Sequence, residues 1–285
     1  MSTLSIPASR ESGVRAFIKR HSLLSMYLVM FALAWSVMIP QALYTQGILS
    51  APLPSFLEIL TGWAPGIAAF VVSAVVAGRA GVRDLLGRFL IWRVGVQWYL
   101  IAVFLLALLM LGGIGLHIAF GGEMPYIPAA GAPAWDIALT FVLFVLLGFL
   151  INWEEVAWRG FALPRLQVRY GALLAALLIT VPEVLLHVPL YWIEDSFIRS
   201  VGIGWFSAFS VAAVIIYIYV FNRTRGSLLI VTLLHASQNA WSNLLSDNSP
   251  RPFYFTVLLI WVIALLLVAS TRGRLGYPAD SSRVE

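Results

Sequence analysis

Long apolar runs separated by short polar gaps recur along the whole chain. A helix needs about 20 apolar residues to cross a bilayer. Eight runs qualify, at roughly 22–42, 56–78, 96–118, 135–157, 171–192, 204–221, 227–246 and 253–270. The gaps support that count. Lys and Arg gather before the first run (Arg10, Arg15, Lys19, Arg20) and in the second gap (Arg79, Arg83, Arg88, Arg93). They recur in the fourth gap (Arg159, Arg165, Arg169), the sixth (Arg223, Arg225) and the tail (Arg272, Arg274, Arg283). Only Arg199 and Arg251, of 18 basic residues, fall in the other gaps. Positive charge favours the cytoplasm, so an even number of spans with both termini cytoplasmic is predicted. The first run is long enough to stay as an anchor rather than be cleaved as a signal peptide.

The other gaps carry Pro and Gly, as in Pro52-Leu53-Pro54, and Trp63, Trp98, Trp135, Trp192 and Trp205 sit near span ends as an aromatic belt would. Residues 79–95 interleave arginines with apolar residues, which predicts an interfacial amphipathic helix. The tail from Arg272 is short and expected to be mobile. No internal repeat or low-complexity tract appears. Residues 1–285 therefore read as one all-α domain, a polytopic membrane helix bundle of about eight spans.

Composition agrees. Of 285 residues, 61% are hydrophobic and only 11% charged, against about 25% in soluble domains. The absence of cysteine excludes disulfides, Cys-ligated zinc, iron–sulfur clusters and thiol nucleophiles. The pI near 9.7 arises from charges flanking the spans, a topology signal and not a nucleic-acid surface. The partner this predicts is the lipid bilayer, with no nucleic acid.

Candidate chemistry lies inside three spans. Glu154, Glu155 and Arg159 close the fourth, where ionisable groups are costly and mark functional sites. Four residues apart on a helix, Glu155 and Arg159 can pair, while Glu154 points about 100° away and is free to face another helix. The fifth span carries Pro182, Glu183 and His187, with Glu183 and His187 again four apart. In the seventh, His235, Gln238, Asn239, Ser242, Asn243 and Ser246 form one polar stripe. His21 and His117 lie at span ends without acidic partners and read as structural. Depth counting puts His187 deeper than Glu154 and His235. The three meet only if the fifth helix starts later or kinks at Pro182, or if the fourth extends beyond Arg159.

The pattern Glu154-Glu155-x-x-x-Arg159, then His187, then His235-x-x-x-Asn239 resembles the CAAX protease and bacteriocin-processing family of intramembrane proteases, also called the CAAX prenyl protease 2-like or Abi family. The similarity covers roughly residues 135–246, which would be the catalytic core. Each motif is weak alone, but their order on successive spans is specific. The resemblance implies an intramembrane endopeptidase of a bacterial plasma membrane, with a peptide or protein as substrate. Glu154, helped by His187, would activate water; His235 and Asn239 would bind the oxyanion; Glu155 and Arg159 would support them. Glu183 departs from the family, which places an aromatic residue there. A zinc ion held by candidates Glu154, His187 and His235, and a metal-free glutamate–water mechanism, both fit the residue types. Other classes also fit: a catalytically inactive binding or bacteriocin-immunity membrane protein, or a transporter using the polar groups as a path.

Overall fold

A computed structural model describes residues 13–246 and 248–278. The described residues form helices joined by short turns, with no strand among them. In order these are α1 (Gly13–Arg20), α2 (Ser22–Thr45), α3 (Ile59–Phe89), α4 (Val96–Ala119) and α5 (Ala134–Ile151). A π-helical segment (Val156–Ala162) leads into α6 (Leu163–His187). Then come α7 (Phe197–Val201), α8 (Ile203–Arg223), α9 (Leu228–Leu245) and α10 (Pro250–Thr271). The predicted helix bundle is therefore observed. Seven segments among the described residues are long and apolar enough to cross a membrane.

The eighth expected span is α9, which forms as a helix of 18 residues but falls outside those seven. Its polar stripe explains the difference. The helix packs against α4, α5 and α8, burying residues such as Leu234, Ala236 and Ala240, while His235, Gln238 and Asn239 of the stripe stay partly open and Ser242 and Asn243 are exposed. Ser227 starts it by accepting the Ile230 N–H at 3.2 Å.

The basic gaps come together at one end of the bundle. Ser227 Oγ donates to the Ile91 carbonyl at 2.7 Å, the Arg225 guanidinium donates to the Arg93 carbonyl, and Asn222 Nδ2 donates to the Leu275 carbonyl at 3.0 Å. Arg10 and Arg283 lie outside the described residues. Arg159 does not belong at this end, because it is buried in the bundle. The predicted amphipathic helix appears as the last part of α3, turned away at Gly78, whose φ of 60° suits only glycine. The tail expected to be mobile is instead pinned as far as it is described. Leu275 is 0% exposed and its N–H donates to Thr271 Oγ1.

One departure from the sequence reading matters most for function. The fourth span does not run to residue 157. Its helix stops at Ile151, Asn152 is extended, and a new helical segment covers 154–170. A broken helix inside a membrane survives only if protein satisfies the freed backbone groups. Here α3 does so: the Gly62 carbonyl accepts the Trp153 N–H at 2.9 Å, and Trp63 Nε1 donates to the Leu150 carbonyl at 2.8 Å. Contact this close requires glycine. A Cβ on Gly62 would lie 2.0 Å from the Ile151 carbonyl oxygen. Gly62→Ala is expected to cost about 1–3 kcal/mol through overpacking. The check is a lowered melting temperature, read by tryptophan fluorescence; an unchanged one would deny that the crossing depends on Gly62.

Gly171 (φ 75°, ψ 167°) ends the 154–170 segment and turns the chain back on itself. Arg159 on the first arm meets Glu183 on the second at 3.4 Å, so the arms run antiparallel. The fourth helix does not itself extend beyond Arg159, since it stops at Ile151; the separate segment that begins at Glu154 is what runs past Arg159. Pro182 lies within the second arm, whose only non-helical residue is Gly171.

Candidate active site

The site begins at the helix break. Asn152 Oδ1 accepts the Glu154 N–H at 3.1 Å and so starts the new segment as a side-chain cap. Glu154 is the first residue of that segment and is half-buried. Trp158 Nε1, one turn on, donates to its Oε2 at 3.2 Å, while Asn152 Nδ2 reaches its Oε1 at 3.4 Å. The carboxylate is thus held from both sides. It lies within electrostatic reach of His187 and His235.

Glu155 sits differently. It is 2% exposed, as is Arg159, and Arg159 Nη1 donates to its Oε1 at 3.2 Å, the pairing that the spacing predicts. The same Nη1 reaches Glu183 Oε2 at 3.4 Å. Buried charges survive only when paired and hydrogen-bonded, and here one guanidinium serves two carboxylates from two arms of the hairpin. The Tyr217 ring of α8 lies 4.7 Å from that guanidinium, adding a cation–π contact. Its hydroxyl donates to Gln238 Oε1 at 3.0 Å.

Both histidines have one nitrogen committed. His235 Nδ1 lies 3.0 Å from Glu155 Oε1, and His187 Nδ1 lies 2.8 Å from the Glu183 carbonyl. Carboxylate and carbonyl oxygens only accept, so each Nδ1 carries the proton and each Nε2 is the working nitrogen. His235 Nε2 stands 3.4 Å from Asn152 Nδ2. The spacing of Glu183 and His187 suggested a carboxylate beside an imidazole. Instead the carboxylate turns to Arg159, and only the backbone of Glu183 serves His187. Asn239 is half-buried one turn beyond His235, and its carboxamide makes no hydrogen bond among the described residues. His117 stands apart from the site, with Nε2 3.0 Å from the Glu123 carbonyl.

The arrangement separates into two layers. Glu155 and Arg159 are sealed inside, whereas Glu154, His187, His235 and Asn239 are each partly open. Among the described residues no three His, Asp or Glu side chains are gathered to hold one ion. Three residues with a part in this geometry escaped the sequence reading. Asn152 had a signal, an amide directly before the glutamates at the end of an apolar run. Trp158 and Tyr217 had none, because an aromatic in an apolar span reads as core.

Fold and site together define a polytopic helical membrane protein with an ionisable centre sunk in its bundle. Residues 133–241, which hold every group of that centre, match the family Type II CAAX prenyl endopeptidase Rce1-like. The chain is also similar to CAAX prenyl protease 2 of Methanococcus maripaludis, at 24% identity over 217 residues, covering 72% of this chain and 79% of that protein.

Proposed function

We propose that the protein is an intramembrane endopeptidase that hydrolyses peptide bonds with a water activated by Glu154. The observation carrying this reading is the layering of the site: Glu154 is open and oriented by Asn152 and Trp158, while Glu155 is locked to Arg159 and His235. Glu154 takes a proton from water, and His187 Nε2, fixed by the bond from Nδ1, accepts a hydrogen bond from the water's remaining O–H. The hydroxide adds to the scissile carbonyl. His235, protonated on both nitrogens, keeps Nδ1–H on Glu155 and offers Nε2–H to the oxyanion, and the Asn239 amide supplies a second donor. Glu154 then returns its proton to the leaving amine as the C–N bond breaks. Glu155, Arg159 and Glu183 touch no substrate in this scheme; they hold the two arms of the hairpin together.

The name of the archaeal relative suggests a carboxy-terminal CAAX-type peptide as the first substrate class to try. Purified protein in liposomes, given free and prenylated peptides, should release fragments detected by mass spectrometry. His235→Ala should lower kcat roughly 10²–10³-fold, the loss of one oxyanion donor. Wild-type rates in that variant, folded as judged by its melting curve, would overturn the assignment of His235.

A further inference from the structure

At the elbow of the hairpin lies a cavity of about 640 Å³, far from Glu154 along the first arm. Its walls come from two distant segments: residues 167–177 around Gly171, and the turn after α10. Arg169, Arg272 and Arg274 all line it, and among the described residues no acidic one does. No described carboxylate forms a salt bridge with these arginines. The rest of the lining is mostly apolar, and Leu174 and Leu177 are exposed along it.

We propose that this cavity binds the phosphate headgroup of an anionic phospholipid, with acyl chain lying along Leu174 and Leu177. A cation-only rim over an apolar wall, at the basic end of a membrane bundle, matches both halves of such a molecule. The size suits a headgroup, since ligand pockets span roughly 300–1,000 Å³. The site is built, not smeared over the surface. Leu275 is fully buried just after the two tail arginines, and Gly273 approaches Leu173 so closely that a Cβ would lie 3.3 Å from its side chain. The position also has a consequence. Gly171 joins the arm bearing Glu154 to the arm bearing His187, so a bound lipid braces the joint between them. Binding itself does not rest on the protease reading and can be measured without a substrate.

The test titrates short-chain phosphatidylglycerol, short-chain phosphatidylcholine and inorganic phosphate into the full chain in dodecyl maltoside, following thermal stability. Saturable stabilisation by phosphatidylglycerol alone is expected. Arg169→Gln with Arg274→Gln, one from each wall, should weaken its apparent affinity roughly thirtyfold, at the usual contribution of an interfacial arginine. Arg79→Gln with Arg83→Gln removes the same charge elsewhere and should leave the affinity unchanged. Equal weakening in both double variants would show general surface attraction and overturn the site. Equal binding of phosphatidylcholine would overturn the phosphate-charge argument. Inorganic phosphate acting as well as the lipid would overturn the lipid as ligand. These comparisons of ligands on the wild type hold even if the cavity variant fails to fold.

Discussion

Replacing Glu154 by Gln is expected to reduce kcat between about 10² and 10⁴-fold, the range that a positioned general base contributes, while the protein stays folded. The amide keeps the shape and can still accept the Trp158 N–H, so the bond at 3.2 Å and the local packing survive. What disappears is the ability to take a proton from water. Because Glu154 is only half-buried and its partners are neutral donors, no charge is stranded by the change. Peptide cleavage by mass spectrometry, beside melting curves for both proteins, reads the two effects separately. A folded variant that cleaves at the wild-type rate would remove Glu154 from the mechanism.

Arg159→Met is expected to act on stability instead. It strips the buried Glu155 and the 15%-exposed Glu183 of their shared partner, and breaking a buried pair in this way costs about 3–5 kcal/mol. The companion change Glu183→Phe restores the aromatic residue of the family pattern and leaves Arg159 still paired with Glu155, so it should cost less. Combined, the two should be less destabilising than their sum, because the double variant strands one carboxylate where Arg159→Met strands two. A double-mutant cycle in detergent, read by melting temperature, measures that coupling. Strict additivity would mean that Arg159 and Glu183 do not interact. A large activity loss in a well-folded Glu183→Phe protein would make Glu183 part of the working site, not only a brace.

Much of this architecture could be read from the chain because membranes simplify the code. Apolar runs of span length, divided by alternating basic gaps, are what a helix bundle in a bilayer requires and what a soluble core does not. The boundaries at Ser22, Val96 and Gly171 lie where the sequence puts them. The pairing of Glu155 with Arg159 follows from helical spacing alone. The break at residues 152–153 does not, because it depends on what α3 brings: Gly62, which lets the backbone cross, and Trp63, which caps a carbonyl. Nothing within residues 135–157 encodes those partners. The orientation of Glu183 was hidden for the same reason. Local spacing offered His187, but the buried guanidinium on the opposite arm is a stronger attraction than a neighbouring imidazole. Tyr217 shows the limit from the other side, since a phenol stacked on a guanidinium uses a residue type that spans carry for ordinary packing.

The ion pair within the 154–170 segment also bears on how the protein is made. His235, which completes the bonding of Glu155, lies 80 residues later in the chain. During synthesis the segment must therefore leave water before its α9 partner exists. Glu155 and Arg159, one helical turn apart, cancel each other inside the segment itself. That pair can enter the bilayer already neutralised and await the later helices there. Moving either charge one position along would leave the folded site nearly the same in composition, yet deprive the nascent chain of that early neutrality.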